Sequence, residues 1–256
     1  METDARFDLN ATTQRWFLAL GLLIVPMLLL GIVLGHQFPP TSPSASAVQI
    51  ARLNTNHQTE IQIGCLIMMV GFSFMGLWGG VLTVWIWRME SHRFPVLTLS
   101  SAILGGCSSV FAILGTMCWA VAAYRPGVTS PDITRMLNDF GWFAQLYTWP
   151  PFLLWNLCFA IAVYRDTNTP RIFPRWVMWA TVATMISYLP AGLMGFVTSG
   201  PFSYDGFLSF WVAVGAFLVW NLIVDRYIWK AIKDAEARIG RQPQSQDTAI
   251  AVPVPN

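Results

Sequence analysis

Charge is what this sequence has least of. Asp, Glu, Lys and Arg make up 11% of the 256 residues, against roughly a quarter in a soluble domain, so a water-exposed globule is excluded. The net charge of +2 leaves no electrostatic footprint for a nucleic acid, and none is expected as a partner. Histidine is rarer still. His36, His57 and His92 all fall outside the long apolar runs, which argues against a bis-histidine haem in a bundle and against a histidine-rich iron or copper site. The four cysteines, Cys65, Cys107, Cys118 and Cys158, show neither a CxxC nor a Cys/His metal spacing. They lie inside apolar runs and read as small apolar filler, with a Cys65–Cys118 disulfide as the pairing their depth allows. No charge sits at the middle of an apolar run, as pumps, antiporters and voltage sensors require. No cofactor and no metal is expected.

What the chain does have is six long uncharged stretches: Trp16 to Gly35, Ile61 to Trp87, Phe94 to Tyr124, Phe140 to Tyr164, Trp176 to Tyr204 and Gly206 to Val224. A hydrocarbon core of about 30 Å needs roughly 20 apolar residues per helix, and each stretch meets or nearly meets that length. The fold expected is all-α: a polytopic membrane protein with six transmembrane helices. The first stretch is too long for a signal-peptide core and has no convincing cleavage site, so it counts as a retained span. Residues 1–240 read as a single six-helix transmembrane domain. Residues 241–256, rich in Gln and Pro without apolar periodicity, read as a disordered cytoplasmic tail.

The few basic residues set an orientation. Twelve of the 15 Lys and Arg lie before span one, between spans two and three, between spans four and five, and after span six; the other loops hold only Arg52, Arg125 and Arg135. The positive-inside rule then places both termini in the cytoplasm. In the outer loop between spans one and two, Ser44 or Ser46 can cap a short outer helix starting near Ala47. Its mixed polarity suits packing on the protein.

The three inward-running spans end alike. Trp78 stands ten residues before Arg88, Trp155 ten before Arg165, and Trp220 ten before Lys230, and the last two share Trp155-Asn156-Leu157 and Trp220-Asn221-Leu222. Interfacial aromatics explain the inner ends but not the tryptophan at minus ten, so related helical hairpins are one reading. These tryptophans can fill a core or line a pocket for a flat apolar ligand. Asn156 and Asn221 are expected to make an interhelical hydrogen bond between spans four and six. Small-residue faces, Gly31/Gly35, Gly76/Gly80 and Ser101/Gly105/Ser109, let helices approach closely, within the bundle or in a homo-oligomer or with a membrane-protein partner.

Carboxylates gather at the outer boundary. Asp139 and Asp205 begin spans four and six and can act as helix caps. Otherwise they join Glu60, Tyr147 and Tyr188 in an outward-facing ligand site, above kinks at Pro150, Pro151 and Pro190. The function expected is that of a non-catalytic integral protein of a bacterial cytoplasmic (inner) membrane. It would be an accessory or scaffold subunit, or a binder of an apolar small molecule. The kinks and the repeat favour, as alternative, a transporter or permease for a hydrophobic small molecule. A membrane enzyme acting on a lipid-like substrate at the outer face would need the carboxylates to converge.

Overall fold

The structure is a computed structural model that describes residues 10–90 and 94–239. Among these residues all regular structure is helical. Six helical segments are long and apolar enough to cross a membrane, so the chain is a multi-pass membrane protein suited to a lipid bilayer. The tail expected at 241–256 lies outside the described residues, as does His92.

Helix α1 (Ala11–Leu34) holds Pro26 in its interior. It closes with paired bonds from His36 N to the Val33 carbonyl (3.1 Å) and from Gln37 N to the Ile32 carbonyl (2.9 Å). That is a Schellman ending, with His36 in the left-handed position at φ 52°. Helix α2 (Ala47–Asn56) starts at Ser46 in a full capping box with Gln49. It packs on α5 (Pro131–Trp142). The chain breaks at His57, and α3 (Gln58–Glu90) begins at once. Glu90 at its far end folds back on α4 (Val96–Ala122), accepting from Leu97 N at 2.8 Å and Thr98 N at 3.0 Å. A carboxylate there satisfies the free amides of a helix start.

Span four is built differently from expectation. Its helix starts at Pro131, with Ser130 as the cap accepting from Ile133 N, so Asp139 sits in the third turn and caps nothing. The span runs through α5, a π-helical stretch (Phe143–Tyr147), and α6 (Trp149–Arg165). Span five is α7 (Arg175–Tyr188) followed by a 3₁₀ stretch (Leu189–Phe196), and span six is a π stretch (Phe207–Val212) followed by α8 (Ala213–Ile239). Asp205 lies just before span six and accepts from the Ser203 hydroxyl.

The apolar core forms two clusters. At the arginine-rich end it is organised by the repeated tryptophans. Trp78, Trp155 and Trp220 are buried to 1% exposure or less. Trp78 meets Trp155 edge-on with ring centroids 5.7 Å apart, and Trp220 at 5.8 Å. Each indole N–H donates to a different helix: Trp155 to Ser101 Oγ (2.9 Å), Trp220 to Thr181 Oγ1 (2.9 Å) and Trp78 to Asp225. Asp225, the residue after the uncharged stretch, lies within α8, and its carboxylate is buried against α3. The second cluster, at the opposite end, centres on Trp119 and Trp142, two residues that sequence position alone would leave at the membrane interface. All four cysteines are free.

Candidate functional site

A cavity of about 340 Å³ lies beside the second cluster. Its walls are apolar: Leu28 and Ile32 from α1, Met68 and Phe72 from α3, Trp119 from α4 and Phe217 from α8 all face it. The three stretches where spans depart from α-helix also line it, through Gln145 and Leu146, through Ala191, and through Ser209, Phe210 and Trp211. A π or 3₁₀ turn changes the rotation of the following helix and leaves room that regular packing would close. The glycine at 215 lines the same space, and an added Cβ there meets nothing within 4 Å. Phe38 and Trp211, in edge contact at 5.2 Å, line the cavity while remaining 39% and 42% exposed, so it reaches the lipid-facing surface between α1 and span six.

Polar groups in the wall are few. The Gln145 amide donates to the Ala112 carbonyl (2.8 Å) and Thr116 Oγ1 (3.1 Å). Ser209 Oγ donates to the carbonyls of Phe202 (3.0 Å) and Pro190 (3.2 Å). Tyr188 is different. Its hydroxyl accepts from Asn156 Nδ2 at 3.2 Å, and no acceptor for its own proton occurs among the described residues. Of the two lining hydroxyls, Tyr188 and Ser209, it is the one whose proton is not engaged among the described residues.

The chain matches no family model, no curated protein and no solved structure.

The residues singled out from the sequence part company in three dimensions. Glu60, in the first turn of α3, meets His57 Nδ1 at 3.1 Å and His36 Nε2 closer still. Asp139 accepts from the Tyr204 hydroxyl at 3.1 Å, and Arg135 approaches its other oxygen at 4.0 Å. Burial, with the Asp139 carboxylate next to it, pushes the Tyr204 hydroxyl well above the ordinary tyrosine range, so it stays a neutral donor. No hydrogen bond or ion pair among the described residues joins Glu60 to Asp139 or Asp205. Tyr147 stands apart from the cavity, its ring on Phe143 at 5.2 Å. Asn156 and Asn221 are both buried at 1% exposure. Asn156 bonds to span five rather than to span six. Asn221 has no partner for either amide atom among the described residues.

Sequence reasoning missed the hydroxyls and the carboxylate that receive the three indoles, because Ser and Thr inside helices usually bond to their own carbonyls. The cavity left one trace. Pro150, Pro151 and Pro190, where a helix cannot keep its regular bonding, are chain neighbours of the lining residues Trp149, Phe152 and Ala191.

Proposed function

We propose that this protein binds an apolar small molecule in the cavity between α1, α3 and spans four to six, and that it does so without catalysis. The observation that carries this reading is the convergence of all three irregular helical stretches on one apolar space. Helical regularity is given up in three spans at one place, and an apolar pocket of a few hundred Å³ with a small number of placed polar groups is the usual form of a ligand site. The guest best suited is a chain- or ring-like hydrophobe bearing one hydrogen-bond acceptor for Tyr188. The lipid-facing position of Phe38 and Trp211 suits entry from the bilayer. We propose further that the protein is an accessory or binding component of a bacterial inner membrane with both termini in the cytoplasm; the twelve-to-three distribution of basic residues supports that orientation.

Tryptophan quenching tests the reading, since Trp119, Trp142, Trp149 and Trp211 line the cavity. In detergent, 12-bromododecanol is expected to quench with a saturable component that unbrominated dodecanol competes away. Gly215→Leu grows into the open space and should weaken that component about tenfold, the equivalent of roughly 1.4 kcal/mol of overlap. Tyr188→Phe should weaken it about three- to tenfold, the worth of one hydrogen bond. Quenching that rises linearly with the micelle concentration of the bromide, and is the same in Gly215→Leu, would sink the proposal.

A further inference from the structure

We infer that His36, His57 and Glu60 form a binding site for one divalent transition-metal ion of the zinc type, at the end of the bundle opposite the arginine-rich end. One ligand atom from each residue lies within 4.8 Å of the other two. Both imidazoles direct a ring nitrogen at the same carboxylate oxygen, Oε2 of Glu60. The rings lie nearly parallel with centroids 3.8 Å apart. Two imidazoles and a carboxylate brought this close together are a donor set that a small divalent ion can use.

The backbone brings the three donors together from separate elements. His36 follows α1 in the Schellman ending, at φ 52°, a position that glycine fills most readily. A histidine there is held against its conformational preference, which is the kind of local cost found where a side chain is wanted. The reach of His36 to Glu60 is set by a close helix crossing. Gly64 of α3 lies against Gly31 and Gly35 of α1, so that a Cβ at 64 would come within 2.4 Å of Gly35 N. Glu60 is one turn before that crossing and His36 one residue after it. His57 supplies the third donor from the break between α2 and α3.

The donor set selects the ion. Two of the three ligands are imidazole nitrogens, which suit zinc and its transition-metal neighbours, whereas calcium and magnesium favour oxygen-only sites. His36, His57 and Glu60 side chains keep 30%, 37% and 55% of their exposure. Further coordination positions therefore face water, and the site is an open one.

The test uses the full chain in detergent, without a polyhistidine tag, stripped with a chelator and then titrated with Zn²⁺ against a chromogenic chelator. One Zn²⁺ per chain is expected. His57→Ala and Glu60→Gln should each lower the affinity at least about tenfold, the low end of what perturbing a metal's ligand set does. His36→Gly is the decisive variant, because glycine fits the left-handed backbone. It should keep or raise the thermal midpoint while losing the ion, and it should abolish the visible absorption of the Co²⁺-loaded protein. Absence of stoichiometric Zn²⁺ uptake by the unaltered chain overturns the inference. So does uptake unchanged in His36→Gly, which would mark the three side chains as a hydrogen-bonded surface cluster only.

Discussion

A buried indole in a lipid-facing bundle has one N–H and no water to give it to. Trp78, Trp155 and Trp220 each solve this by crossing to another helix, and the acceptors differ: a carboxylate, a serine and a threonine. Ser101 and Ser108 allow the energetic weight of such a bond to be isolated. Both are fully buried on α4. Ser108 Oγ returns to its own helix, on the Leu104 carbonyl at 2.8 Å, while Ser101 Oγ receives Trp155. Ser101→Ala leaves the indole N–H buried without its acceptor and should cost about 1–2 kcal/mol. Ser108→Ala should cost about 0.5 kcal/mol or less, because a bond to the residue's own helix adds little. Equilibrium unfolding in mixed micelles measures both. Equal losses would show that the Trp155 bond contributes nothing beyond packing. At this scale the tryptophan spacing was readable in the chain but the acceptors were not. Which serine meets an indole depends on helix rotation, and a lone hydroxyl in an apolar run carries no signature of it.

Between elements, glycine decides how near two helices come. The Gly31/Gly35 pair was legible as a small-residue face, and its mate proves to be Gly64. The Gly76/Gly80 pair has the same spacing but faces open space, with nothing within 4 Å of an added Cβ at either position. Spacing alone does not separate a face that meets a neighbour from one that meets lipid. Gly64→Ala puts a methyl group 2.4 Å from Gly35 N and 2.5 Å from the Gly31 carbonyl. The helices must part, at about 1–3 kcal/mol. Gly80→Ala should stay within about 0.5 kcal/mol of the unaltered chain or stabilise it slightly, since alanine is the better helix former. The same micelle unfolding experiment compares the two, and a Gly64→Ala variant as stable as Gly80→Ala would refute the crossing. Helix starts were less legible. Ser130 followed by Pro131 is a good start signal, yet Asp132, Arg135 and Asp139 in the next turns made the segment look like a loop leading to a cap. Asp132 and Arg135 are exposed and Asp139 is half-buried against Tyr204, while α5 packs on α2 and α4. The π stretches left no trace in the sequence beyond the nearby prolines, because a one-residue change in helical winding alters no composition.

For the whole molecule, the apolar runs determined the number of spans, and the two ends of the bundle have different characters. The basic end is closed by the tryptophan cluster and by carboxylates that tie its loops: Asp166 accepts from Asn168 N and Ile172 N, both at 2.9 Å. The opposite end carries the cavity, the Asp139–Tyr204 pair and the two histidines at Glu60. The Asp139–Tyr204 pair and the two histidines at Glu60 could not be read from the chain, since each is made by side chains that only folding brings together, and the cavity showed only in the prolines near it. If the proposed orientation holds, the basic end faces the cytoplasm, where the inside-positive rule assigns it, and the cavity and the histidines lie in the outer half. Ser42 and Thr167 are both exposed, in loops at opposite ends, and they report orientation directly. In a chain with its four native cysteines replaced, Ser42→Cys should react with a membrane-impermeant maleimide in intact cells, and Thr167→Cys only after the membrane is opened. The reverse pattern would invert the orientation and place the proposed ion site in the cytoplasm. Labelling of both in intact cells would mean that the two loops share one side, which six crossings in this order do not permit.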